Sequence, residues 1–314
     1  MYYVIEYELV AFIALVIVSL KYFFSKYFPS TQNRIFGYLL FATLLTLFFD
    51  LITAFTLSYI DLFPLWLNQL LNTLYFGFQT INPFIFLVYI LSLLGNLSLL
   101  KSKKIRLLLL PVFINLSLLF FINPFTNIFF SINSIDGYNY GPWFYLLHIV
   151  ALIYLLISFI HAVHFRDKLT RVQFRTILGF VLSILVTMYL QARFPRFLIT
   201  GVILSFSAII MYFTLQNPQH MKDVLTGCFN YSALLEYLSE LIKSRQRFHL
   251  IAVNINDFSR INRVFGLKNG NQILINLYSY ISSLGDDIWV FRMKGTRFVI
   301  ITDNDSSYNT VKSV

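Results

Sequence analysis

The polar groups that could do chemistry fall into two sets. In the first 216 residues they are few and sit inside long apolar runs: Asp50, His148 and His161. A carboxyl or imidazole at that depth is costly, and marks either a ligand or proton site or a hydrogen bond between helices. For Asp50 both readings stand, the second pairing it with Asn or Gln of the run at 65–95 at about 0.6 kcal/mol per bond. Packing is the preferred reading for the two histidines, His161 lying near the inner end of its run. Asp50 and His148 are carried forward as the candidate sensing residues. Beyond residue 222 the polar groups are spaced differently: D-V-L-T-G-C-F-N from Asp223, N-I-N-D-F-S-R-I-N-R from Asn254, and R-M-K-G-T-R-F from Arg292. There is no G-x-x-x-x-G-K phosphate loop, no H-E-x-x-H and no kinase phosphoacceptor histidine context. Cys228 is the single cysteine, which excludes an internal disulfide framework and a cysteine-based zinc site.

The elements that must position these groups are set by composition. Of 314 residues, 58% are hydrophobic and 12% charged, with 35 Phe and 20 Tyr. That excludes an ordinary soluble or disordered chain and points to a polytopic membrane protein. Seven segments are long enough to span about 30 Å of hydrocarbon: 4–24, 35–60, 65–95, 105–123, 143–163, 175–192 and 197–215. The third exceeds a simple span and holds Asn68, Asn72, Gln79, Asn82 and Pro83, so a tilt or kink is expected. The first follows Glu6 and Glu8 with no basic flank, the pattern of a retained helix and not a signal peptide. On this reading Asp50 is the one acidic group at depth. A transporter or membrane scaffold with a vestigial tail stays an alternative, although a transporter would need converging mid-membrane polar groups and internal repeats, and no repeat is visible.

Loop charges give the orientation. Lys26 and Arg34 follow the first span, Lys101, Lys103, Lys104 and Arg106 the third, and Arg166, Lys168, Arg171 and Arg175 the fifth. The intervening loops carry Asp61 and Asp136 and no basic residue, so the N-terminus is expected outside and the C-terminus inside. Arg193 and Arg196 run against the rule. The net charge of +10 divides as +7 over residues 1–220 and +3 over 221–314, so it is mainly a topology signal and not a nucleic-acid footprint. The outer loop 124–142 is rich in aromatic and Asn residues, which suits either a ligand mouth or an interfacial loop. Its last residues, Tyr140-Gly141-Pro142-Trp143, resemble the Y-G-P-aromatic motif in the seven-helix N-terminal region of some bacterial sensor histidine kinases.

After about residue 216 the apolar runs shorten. A helical pattern places Leu234, Leu235, Leu238, Leu241 and Ile242 on one side. An apolar strand follows at 250–258, a second helix at 270–282, and strands at 288–293 and 297–302 joined by Lys294-Gly295-Thr296. This β–α–β–β order suits an α/β domain. The chain here resembles the GGDEF family, the diguanylate cyclases of bacterial signalling. Asp223, Leu225, Thr226, Gly227 and Asn230 match its D-x-L-T-G-x-x-N motif. Its D-x-D-x-F-K-x-x-N-D-x-x-G-H-x-x-G-D block falls without gaps on 254–271, keeping Phe258, Gly266 and Gly270. Its R-x-G-G-D-E-F hairpin falls on 292–298, keeping Gly295 and Phe298. The resemblance implies three parts: a seven-helix membrane region at 1–216, a short linker at 217–222, and a degenerate, C-terminally incomplete GGDEF-like domain at 223–314. A complete domain of the family would add another helix and further strands; without them one sheet face is expected to lie uncovered. The chain is then a fragment of a longer protein, such as one ending in an EAL phosphodiesterase domain, or a shortened remnant.

The departures from the family are chemical. The family binds two Mg²⁺ through the first Asp of D-x-D and an acidic hairpin residue, and those positions are here Asn254, Thr296 and Arg297. Mg²⁺ prefers charged oxygen ligands, so no metal is expected. Asp257, three residues on in a regular strand, is expected on the opposite face. The family's guanine-binding pair becomes Asn262 and Asn271, and its inhibitory R-x-x-D site is missing. With no metal carboxylate, no catalytic residue is assigned. Lys294 and Arg297 either hold the phosphates of a GTP ligand directly, with Asn262 and Asn271 on the base, or are solvated hairpin residues. The reading is a multi-pass receptor of the cytoplasmic (plasma) membrane with a cytoplasmic, inactive GGDEF-like domain, acting as a homodimer or with a partner GGDEF or EAL protein. An active cyclase with an atypical metal site is the alternative.

Overall fold

The computed structural model describes residues 4–24, 30–97, 103–133, 137–194, 198–215 and 221–313. Lys26, Lys101, Asp136, Arg196 and residues 217–220 of the expected linker lie outside them, as do the side chains of Lys103, Lys104 and Arg106. The chain forms two compact units, Met1–Gln216 and Asn217–Val314.

The first unit contains α1 (Glu6–Phe24), α2 (Thr31–Ser58), α3 (Leu65–Leu93), α4 (Lys103–Ser117), α5 (Asn123–Thr126), β1 (Phe130–Asn133), β2 (Gly137–Tyr140), α6 (Phe144–His164), α7 (Arg171–Arg193) and α8 (Ile199–Leu215). Helix starts are set by short polar side chains that satisfy free backbone N–H groups. Ser30 accepts from Asn33 N at 3.1 Å. Thr170 and Gln173 form a reciprocal capping box, which starts α7 earlier than apolarity alone suggests. Among the described residues, six helices are long and apolar enough to cross a membrane, the fourth being Leu107–Thr126, which runs through a π-helical turn at Leu118–Ile122. The expected seventh segment forms α8, an apolar helix of 17 residues.

Large apolar side chains fill the centre of this unit. Leu15, Phe36, Leu40, Leu47, Phe86 and Tyr89 are buried together, and Phe86 stacks on Phe180 at 4.2 Å. Small polar groups add bonds between helices. Asn82 donates to Thr46 Oγ1 at 2.7 Å and accepts from Thr43 at 3.3 Å, and Thr176 donates to Thr214 at 3.1 Å. Many Phe, Leu and Ile side chains face outward, as a lipid-facing surface requires.

The aromatic segment at 124–142 folds as an antiparallel hairpin, β1 pairing with β2 from Phe130↔Tyr140 to Asn133↔Gly137. Asn123 organises its base, its Oδ1 accepting from Phe129 N at 2.8 Å and Phe130 N at 3.2 Å. Phe129 and Phe130 are fully buried, and Tyr138 stacks on Phe130 at 5.7 Å. Gly141 N donates to Phe129 O at 2.8 Å. A Cβ on Gly141 would lie 2.4 Å from the carbonyl oxygens of both Asn127 and Ile128, so only glycine lets the chain pass from the hairpin into α6.

The second unit contains α9 (Tyr231–Ser244), β3 (His249–Asn254), α10 (Phe258–Ser283), β4 (Trp289–Arg292), β5 (Arg297–Thr302) and α11 (Asp305–Ser313). The sheet order is β3-β5-β4 with both pairs antiparallel. The central strand β5 is buried on both faces from Phe298 to Thr302. One face packs Val290, Phe298 and Ile300 against Leu274 and Ile281 of α10. On the other, Phe291 lies 5.8 Å from Tyr237 of α9. The expectation of an uncovered face is therefore corrected. Leu234 and Leu241 of α9 are buried, whereas Leu235 and Ile242 are exposed, so the apolar stripe is narrower than the sequence pattern suggested. The expected helix at 270–282 begins at Phe258 and breaks at Gly266, whose φ of 81° no β-carbon residue adopts easily.

Gly141→Ala is expected to destabilise the detergent-purified protein by about 1–3 kcal/mol through backbone overpacking. Gly179→Ala in α7, where a Cβ meets nothing within 4 Å, should leave the thermal midpoint unchanged or raised. Equal midpoints for the two variants would contradict the steric account.

Candidate functional site

Strand pairing assembles the first candidate site. Asn254 stands opposite Arg297 in the β3–β5 register, which sets the end of β3 beside the Lys294–Thr296 turn. Ile255 N donates to Thr296 O at 3.4 Å, and the chain then leaves the sheet. Asp257 adopts φ 52° at the start of α10. An open groove results, lined by Asn254, Asn256, Asp257, Arg260, Arg263 and Thr296 among others.

Asn254 and Thr296 touch directly: Thr296 Oγ1 donates to Asn254 Oδ1 at 3.0 Å, and Asn254 Nδ2 donates to Asn256 Oδ1 at 3.0 Å. The chain of bonds is neutral, and it engages Asn254 Oδ1 without placing a charge there. Arg297 and Lys294 are exposed on the hairpin beside the groove but are not among its lining residues, and neither is Asn271. Asn262 packs on Gly270, where a Cβ would come 1.9 Å from Asn262 Oδ1, and that oxygen is buried without a hydrogen-bond partner. The groove instead carries Arg260 and Arg263, which the motif reading passed over. Their i, i+3 spacing on the first turns of a helix is the signal that would have found them.

One expectation about this groove is corrected. Asp257 does not sit on the opposite face of the strand. β3 ends at Asn254, the two-residue periodicity stops there, and Asp257 lines the groove. Even so the donor set does not fit Mg²⁺. The positions that resemblance assigns to metal ligands offer an amide, a hydroxyl and a guanidinium, and a hard cation prefers carboxylates.

Arg292 holds the surrounding loops. Its Nη1 donates to Asp223 Oδ1 at 2.7 Å, and its Nε and Nη2 donate to Gly295 O at 3.0 and 2.8 Å. Asp223 also accepts from Thr226 N at 2.9 Å and Thr226 Oγ1 at 2.8 Å. Gly227 takes φ 75°, and Asn230 caps α9 by accepting from Ala233 N at 3.1 Å. Burial disfavours the charge on Asp223, but Arg292 and Thr226 outweigh it and hold the carboxyl below the usual aspartate value of 3.8. Burial pushes the Cys228 thiol up to about 11, which marks it as a packing residue.

The second candidate site lies inside the first unit. Asp50 and His148 both line one cavity of about 340 Å³ beside the β1–β2 hairpin. Among the α3 amides, Asn82 is committed to Thr43 and Thr46, and the Asn72 amide donates to Asn68 O. The neighbours of Asp50 are Glu8 of α1 and the Tyr75 hydroxyl. Glu8 is fully buried, which corrects the reading of Asp50 as the single acidic group at depth. At the head of a helix, next to Glu6, it reads as a flanking charge; the contact with Asp50 exists only in the folded bundle. His161 is tied to its own helix through Ile157 O at 3.0 Å.

Comparison with known proteins now places the second unit. Residues 220–313 match the family model described as "Diguanylate cyclase, GGDEF domain". This segment is therefore a GGDEF domain, preceded by six long apolar helices consistent with a membrane region. A solved structure described as a diguanylate cyclase/phosphodiesterase from Caldicellulosiruptor saccharolyticus aligns at 20% identity and a TM-score of 0.29, over 31% of this chain and 62% of that one. The chain thus spans less than two thirds of that protein. No curated protein matches the chain.

Arg292→Ala is expected to raise hydrogen exchange at the β4 and β5 amides of the full-length protein by about 10–100-fold, the loss of roughly 1.5–3 kcal/mol of charged hydrogen bonding. The sign of the pH effect follows from the depressed Asp223 value. Its contribution is present above 3.8 and is lost as pH falls through its lower folded value. That acid-side loss should shrink in Arg292→Ala, and unchanged exchange would contradict the clamp.

Proposed function

We propose that the protein is a membrane-bound signalling receptor in cyclic di-GMP regulation, which senses through its helical unit and relays through a GGDEF domain that makes no product. The observation that carries this reading is the Thr296–Asn254 hydrogen bond at 3.0 Å, a neutral contact at the positions where the family resemblance calls for metal carboxylates. Phosphoryl transfer depends on positioning and on neutralising the charge that develops on the phosphoryl oxygens. Loss of both carboxylates removes about 4 kcal/mol or more of that stabilisation, roughly a thousandfold or more in rate.

The groove retains cations where phosphates would lie. Arg260 and Arg263 line it, and Lys294 and Arg297 stand beside it, which supports GTP as a ligand read without metal. On this reading α8, at 17 residues and about 1.5 Å rise per residue, is a seventh and short span. The N-terminus is then outside and the GGDEF domain cytoplasmic, beneath the cytoplasmic membrane. Output passes through a homodimer or a partner GGDEF or EAL protein.

The test is product formation. Full-length protein in nanodiscs, given GTP with Mg²⁺ or Mn²⁺, is expected to yield no cyclic di-GMP by mass spectrometry above a protein-free control. Turnover that is lost in Thr296→Ala would overturn the inactive reading.

A further inference from the structure

The cavity in the first unit has an unusual balance of charge. Asp50 is on its wall, and no lysine or arginine is among the described residues that line it. Behind Asp50 stands Glu8, fully buried, its carboxyl against that of Asp50. Two facing carboxyls are two acceptors; without a proton or a cation between them they repel. Gly201 of α8 leaves the space Glu8 occupies, since a Cβ there would fall 1.7 Å from Glu8 Oε1. Part of the wall is aromatic. Tyr138 and Tyr140 of the hairpin lie 5.4 Å apart, Tyr140 and Phe144 4.4 Å, and Phe144 and His148 5.1 Å. The Nδ1 atom of His148 is buried there.

A buried carboxyl facing aromatic rings is a setting for an organic cation, held by charge at one end and by ring faces around its body. A hard metal ion fits less well, because Asp50 is the one carboxylate among the described residues of the wall and such ions prefer several charged oxygen ligands. The volume, about 340 Å³, lies at the lower end of the range for small-molecule sites. We propose that this cavity binds a small organic amine, its ammonium at Asp50 with Glu8 behind, and its body against Tyr138, Tyr140 and Phe144. The neutral end of such a ligand can reach the His148 imidazole, which lines the same cavity. This names the ligand class for the receptor reading above and rests on it for the signalling consequence, though not for binding itself.

Three probes of equal size and different charge test it: phenethylamine, 2-phenylethanol and phenylacetate, titrated into full-length protein in nanodiscs by calorimetry. Saturable binding of phenethylamine is expected, at least tenfold tighter than either of the other two and weakened at least tenfold in Asp50→Asn and in Glu8→Gln. No saturable amine binding, or binding equal to that of the alcohol, would overturn the proposal. The wild-type comparison decides this even where a variant fails to fold. Hydrogen exchange over residues 221–313 is followed in parallel. Amine binding with no change there keeps the amine site and removes the receptor reading, whereas a change in both supports the two together.

Discussion

The GGDEF unit depends on one side chain. Arg292, at the end of β4, reaches Asp223 in one direction and Gly295 O in the other. It thereby fixes the loop that leads into α9 and the turn that joins β4 to β5 as parts of one frame. The antiparallel register then puts Asn254 opposite Arg297, and Thr296 within bonding distance of Asn254. Once that frame is set, the chemistry of the groove follows from what stands at a few positions. A carboxylate at 254 or 296 would face a cation site; an amide and a hydroxyl satisfy each other instead. On the proposed reading the frame of the domain is retained while the groups that need metal are not. Scaffold and site are separable in this way because the scaffold is stabilised by burial and backbone pairing, to which the groove residues contribute little.

Much of this was legible in the sequence because it rests on local rules. The glycine at 295 sits where the hairpin needs positive φ, and the strand at 297–302 lies where its apolar run placed it. What escaped depends on contacts between distant segments or on where a period breaks. Asp257 was assigned to the wrong face because the strand was extended through it, whereas the chain turns at Asn256 and Asp257. The coverage of both faces of β5 needed α9 and the return of α11, whose Tyr308 stacks on His249 at 4.4 Å. The hairpin at 130–140 hid in a segment whose aromatic content suited a simple interfacial loop equally well.

The helical unit shows the same division. Six of the seven segments expected to span form helices long and apolar enough to cross a membrane, legible from length and apolarity alone. The polar interior was less so. Asp50 stood out by its depth, but its neighbour Glu8 lies on another helix and looked like an ordinary flank. Both units bring like groups together among the described residues: the Asp50 and Glu8 carboxyls in one, and Arg260 and Arg263 in the other.

The central claim is that the GGDEF groove holds no catalytic metal. Electron paramagnetic resonance of Mn²⁺, titrated into full-length protein with a non-hydrolysable GTP analogue, measures this directly. The account predicts that the free Mn²⁺ signal falls no further than the nucleotide alone requires. Withdrawal of one or two Mn²⁺ per protein at micromolar concentration, abolished by Thr296→Ala, would contradict it.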